Sequence, residues 1–202
     1  MATKTKTKQL TILSAIISFL SFGYKMGLGI WTMSLVLMVA SISTLLVFIC
    51  KVIFIRNLTE TREKKRRAYL FMTVAALIYA VLFLLFAVLK VNGIDTSNKN
   101  TYEGLVGSLL IGVILVMFIL SIIKLRGALE KTDLMVIGLK EFTFVSAMAD
   151  LVIIEEFVSR IVLRYVEVPY MAQINSYFVL GVTAIMLIVP VFMLIRFIRY
   201  KP

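Results

Sequence analysis

Six stretches, at about residues 9–27, 30–55, 68–90, 104–125, 136–163 and 173–198, are almost continuously apolar, and this limits the fold more than any other property of the chain. A helix needs roughly 20 apolar residues to cross the hydrocarbon core of a bilayer, whereas a membrane barrel is built from alternating strands of about 10. Strict alternation is missing from all six stretches, so helices are expected. With 61% hydrophobic and 16% charged residues and a mean hydropathy of +1.00, 202 residues carry more apolar surface than one water-soluble core could hide. The expected fold class is therefore all-α: a polytopic transmembrane helix bundle of six spans. It forms one domain over residues 1–202, multi-pass in the cell (plasma) membrane, with the lipid bilayer as its first partner.

Basic residues set the expected orientation. With both termini in the cytoplasm, Lys4, Lys6, Lys8, Lys51, Arg56, the block Arg62 to Arg67, Lys124, Arg126, Lys131, Arg196, Arg199 and Lys201 fall on the inner side. Lys25, Lys90, Lys99, Arg160 and Arg164 fall outside or near the outer boundary. That asymmetry follows the positive-inside rule and suits an even number of spans. It also accounts for the net charge of +11 without nucleic acid as a partner. Lys4, Lys6 and Lys8 before an apolar run resemble a signal peptide, but Gly23-Tyr24-Lys25 is a poor cleavage site, so a retained first helix is expected. The turn into the second helix is placed among Phe22 to Gly29, where three glycines and Lys25 interrupt the apolar pattern.

The chain has no histidine and one cysteine, Cys50. The usual zinc sites, Ser-His-Asp hydrolysis and histidine proton relays are thereby removed, and phosphate-cradling glycine loops are missing. No metal and no cofactor is expected, and the chain is not expected to be an enzyme. Cys50 reads as a small buried hydrophobe.

Charge inside the fifth apolar stretch is the main functional signal. Lys140, Glu141, Asp150, Glu155, Glu156, Arg160 and Arg164 all lie between Leu134 and Tyr165, and ionisable groups at membrane depth cost several kcal/mol unless paired. At roughly 100° per residue, Asp150, Glu156, Arg160 and Arg164 share an arc of about 120°, with Arg160 one turn from Glu156 and able to balance it. Glu155 points elsewhere, with Ser159 one turn on. Two arrangements stay open: a buried polar site, or a shorter span in which residues 155–164 form an amphipathic step at the outer surface and Asp150 alone is deep. The candidate residues are Asp150, Glu155, Glu156 and Arg160.

The spelling Glu155-Glu156-Phe157-Val158-Ser159-Arg160 matches the E-E-x-x-x-R motif of CAAX-prenyl and bacteriocin-processing intramembrane proteases, whose catalysis also requires histidines on later helices. Lys25-Met26-Gly27-Leu28-Gly29, followed by residues Ile30 to Ala40, is similar to the opening of the cation diffusion facilitators. That resemblance implies six helices with both termini inside. At the family's ligand positions on the second helix this chain has Ala40 and Thr44, so the metal ligands are absent. As a whole the chain resembles uncharacterised six-helix membrane proteins of Gram-positive bacteria that share this degraded facilitator-like pattern. Those proteins carry Ser, Gln and Thr near the positions of Asp150, Glu155 and Glu156.

Two functions are expected from these features. The first is an integral membrane protein of transporter-like architecture, moving a cation or small solute past the acidic face of the fifth helix. The second is a non-transporting scaffold or accessory subunit whose charges pair with another membrane protein. Gly104, Ser108 and Gly112 recur at small-xxx-small spacing and suit close helix packing, within the protomer or in a homo-oligomer. Trp31, Tyr69, Tyr165, Tyr170 and Tyr200 are placed at membrane interfaces, and Pro190 interrupts the sixth helix.

Overall fold

A computed structural model describes residues 2–92, 105–130, 133–165 and 170–200. The described residues are helical apart from short connectors. The helices are α1 (Ala2–Trp31), α2 (Leu35–Asn57), α3 (Arg62–Val91), α4 (Leu105–Leu129), α5 (Leu134–Tyr165) and α6 (Met171–Arg199). Five of them, all but α5, are long and apolar enough to cross a membrane. The charges of α5 set it apart, and its place in the bundle explains how they are tolerated. It lies in the middle, with α2, α3, α4 and α6 packed around it, while α1 lies against α2 and α3 against α6.

Polarity is inverted relative to a water-soluble domain. Leu20, Leu85, Val113, Ile123, Phe192 and Ile198 are among many large apolar side chains exposed on the outside. Lys25, Lys51, Glu141, Asp150 and Glu156 are buried. Lipid leaves no reason to hide leucine and every reason to hide a carboxylate. The apolar interior has two parts. One gathers Leu37, Tyr79, Phe83, Val145, Val152 and Met186; the other gathers Cys50, Tyr69, Met72, Met135, Phe142 and Met193. Cys50 is fully buried, as its sequence context indicated.

The expected turn at residues 22–29 is not there. Helix α1 continues through Gly23, Gly27 and Gly29, and the chain reverses at Thr32-Met33-Ser34. Ser34 N donates to Gly29 O (2.8 Å), Met33 N donates to Ile30 O (3.2 Å), and Met33 adopts φ 53. These are the hydrogen bonds of a Schellman cap, with methionine in the left-handed position that glycine usually takes. Ser34 then opens α2, its hydroxyl accepting from Leu37 N. Gly29 serves packing here: a Cβ at that position would stand 3.1 Å from Met38 of α2.

The basic block precedes the third apolar stretch and is helical. Arg62 to Arg67 form the first turns of α3, where Arg67 pairs with Glu63 (2.6 Å), Lys64 with Glu60 (2.9 Å) and Lys65 with Asp133 (2.8 Å). Tyr69, expected at an interface, is fully buried. Trp31 and Tyr170 are exposed at helix ends. Pro190 lies within α6, which continues through it to Arg199. Gly104 and the connector at 93–103 lie outside the described residues, as does the side chain of Ser108. A Cβ on Gly112 would meet nothing within 4 Å, so no described part of this chain packs closely against it.

The α3–α5 contact is tight where Gly138 faces Tyr69: a Cβ there would stand 2.5 Å from the ring. Gly138→Ala should therefore displace a fully buried ring and lower stability by about 1–3 kcal/mol, the usual cost of overpacking. Gly112→Ala, at an open position, should leave stability unchanged or slightly raised. The check is denaturant unfolding of the detergent-solubilised variants, and equal midpoints for the two would contradict the packing described.

Candidate functional site

The four described acids of α5 each meet a cation brought by another helix. Asp150 faces α1, where Lys25 Nζ lies 2.7 Å from Oδ1 and 2.6 Å from Oδ2, and 3.3 Å from Thr44 Oγ1 of α2. Both side chains of this pair are almost excluded from the surface. Glu141, half a helical turn round from Asp150, faces the other way and pairs with Arg196 of α6. Its second oxygen accepts from Tyr69 Oη of α3 (3.3 Å), a hydroxyl that also lies 3.2 Å from Met193 O. Glu155 and Glu156 share Lys90 of α3, at 3.4 and 3.2 Å. Ser159 donates to Glu155 Oε1 (2.9 Å) and sits 3.0 Å from Asn175 Oδ1 of α6.

This geometry changes the expected grouping. Asp150 and Glu156 do not form one acidic face, because one is committed to α1 and the other to α3. Lys90 is a partner of Glu156, the role expected of Arg160; the Arg160 side chain lies outside the described residues. Glu155 is nearly buried and takes the same lysine, so the two glutamates form a pair rather than pointing apart. Both lie level with the last turn of α3, with their side chains largely covered.

Sequence reasoning missed Lys25, which was assigned to an outer turn, and Lys51, which was assigned to the inner side. Lys25 had a signal: a single lysine within a stretch that stays helical can be expected to seek a carboxylate. Lys51 is 7% exposed and donates to Ser18 Oγ (2.6 Å) and Ser14 O (3.0 Å) of α1. Ser43 and Ser146 complete the polar contacts here, their hydroxyls 2.8 Å apart between α2 and α5.

Lys25, Lys51, Ser146 and Asp150 border a cavity of about 450 Å³. Its floor comes from α2 (Thr44, Val47, Lys51) and α5 (Thr143, Ser146, Asp150), and its sides from α1 and α4. Among the described residues α1 and α4 do not pack on each other, and the rim residues Ile17, Leu20, Tyr24, Val113 and Met117 are exposed. The cavity thus opens sideways onto the apolar outer surface. Glu155 and Glu156 do not line it. Among the described residues no cluster of three or more His, Cys, Asp or Glu could hold a metal ion. Thr44 accepts a hydrogen bond from Lys25.

No protein-family profile, curated protein or solved structure matches the chain.

Breaking a buried ion pair leaves an uncompensated charge, at a cost of about 3–5 kcal/mol. Lys25→Met and Asp150→Leu should each destabilise the protein by that order. The double variant should recover most of the loss, because no charge is then stranded. A double-mutant cycle on unfolding in detergent measures this, and additive losses would show that the pair is not coupled.

Proposed function

We propose that the chain is a six-span membrane protein of the plasma membrane with both termini cytoplasmic, and that it moves a small solute through the cavity between α1, α2, α4 and α5. The inverted polarity, the lengths of the helices and the inward placement of basic residues support the membrane topology. The fifth span qualifies despite its charges because α5 is enclosed by its neighbours and its acids are neutralised within the chain.

The Lys25–Asp150 pair in the cavity wall carries the transport reading. Helix α1 has its backbone packing through α2, and this pair ties it across the cavity to the central helix. Protonating Asp150, or offering Lys25 another anion, removes the attraction that holds the two walls together. A two-state element biased by a ligand or a proton is what alternating access requires. Asp150 is thus the residue of greatest weight, with Lys25 its built-in counterion. A bare cation is the less favoured cargo, since every described acid of α5 already has a lysine or arginine. The accessory-subunit reading loses its main support for the same reason: these acids are not left waiting for a partner's helix.

A single cysteine at Ser146, in a Cys50→Ala background, tests the reading without knowledge of the solute. A membrane-impermeant thiol reagent applied to one face and then the other should label Ser146→Cys unequally. Adding Asp150→Asn should shift the ratio of the two rates by about tenfold or more, as a change in the balance of two states would. An unchanged ratio would remove the proposed role of the ion pair. In the same background, cysteines at Glu60 and Asn92 should react from opposite faces of the membrane.

A further inference from the structure

Lys51 is a buried ammonium with two hydrogen bonds to α1, and among the described residues no carboxylate pairs with it. That distinguishes it from Lys25 and Lys90, which have acids in contact. A buried cation of this kind is expensive unless an anion reaches it. Lys51 lines the cavity two turns along α2 from Thr44, the neighbour of Lys25. Lys25 and Asp150 cancel there. Positive charge is left over at Lys51.

The remaining walls are apolar, and the cavity opens towards the region that lipid chains would fill, between α1 and α4. About 450 Å³ lies within the range of sites that hold ligands larger than a single ion. Ser18 and Ser21 of α1 and Thr143 of α5 also line the cavity. A phosphate presents several acceptor oxygens, which suits an ammonium beside a serine hydroxyl better than a single carboxylate does. We propose that the solute of this cavity is a phosphate-bearing amphiphile drawn sideways from the surrounding lipid, its phosphate on Lys51 and its chain in the gap between α1 and α4. This rests on the cavity being the solute site, but it concerns binding and can be tested apart from movement.

The full chain in phosphatidylcholine nanodiscs is titrated with three probes: lysophosphatidic acid, lysophosphatidylcholine and glycerol phosphate. Lysophosphatidic acid should bind at least about tenfold more tightly than either of the others, since one lacks the net charge and the other the chain. Lys51→Met should weaken it by about tenfold or more, the loss expected on removing a charge-assisted contact. Val113→Trp, at the exposed rim of α4, narrows the mouth without touching the lysines and should also weaken binding, so the inference stays testable if Lys51→Met folds poorly. Arg62→Ala with Lys64→Ala, on the outer surface of α3, should leave the affinity unchanged. Equal affinity for lysophosphatidylcholine overturns the role of charge, and equal affinity for glycerol phosphate overturns the lipid source. Loss confined to the α3 surface variant places binding outside the cavity and overturns the site. If these results go against the inference while Asp150→Asn still shifts thiol access at Ser146→Cys, the solute class fails and the transport reading stands. Tight, Lys51-dependent binding with unchanged access fails the transport reading alone.

Discussion

A carboxylate enclosed in an apolar bundle needs a cation within reach, and α5 carries four described acids that meet this constraint in three directions. Lys25 arrives from α1, Lys90 from α3 and Arg196 from α6. Each of these helices is therefore placed by charge as well as by packing. Ridge-and-groove contacts between apolar helices allow several registers of similar energy, whereas an ammonium 2.6 Å from a carboxylate allows one. The ion pairs supply specificity where outward-facing leucine and valine supply little.

The two halves of the interior use this differently. Around Glu141 the contacts are dense: Tyr69 donates to the carboxylate, Arg196 pairs with it, and Gly138 makes room for the tyrosine ring. Around Asp150 the same kind of pair stands in the wall of a cavity, beside serine and threonine hydroxyls and a second lysine. A closed network stabilises one arrangement, and a pair bordering open space can exchange partners. The Asp150 side is accordingly where a ligand would compete.

Much of the architecture was legible in the sequence because apolar length alone marks a helix of this kind. The fourth, fifth and sixth helices fall close to their expected ends, α2 starts five residues later than expected, and α3 begins earlier because its charged first turns carry no apolar signal. The turn between α1 and α2 was misplaced for a physical reason. Glycine costs a helix about 1 kcal/mol, which packing against a neighbour readily offsets, as at Gly29. The actual reversal rests on Met33 in a left-handed conformation, which side-chain preference does not announce. The acids of α5 could be found from one strand of text, but their partners could not. Helical spacing relates Glu156 to Arg160 within one helix, whereas Lys90 reaches it from 66 residues away.

The Lys25–Asp150 contact joins residues 125 apart in the chain. Under the proposed topology this sets an order of events during synthesis. The first hairpin emerges with its lysine while the acid is not yet made, and at roughly 5–20 residues per second the delay is several seconds or more. Through that interval α1 carries an unmatched ammonium, so the hairpin is held at the bilayer by α2 and its seat is completed only when the fifth helix arrives. A late-made part of the bundle would then secure the first, and a ribosome that stops before Asp150 would leave a nascent chain whose opening helix is poorly committed to lipid.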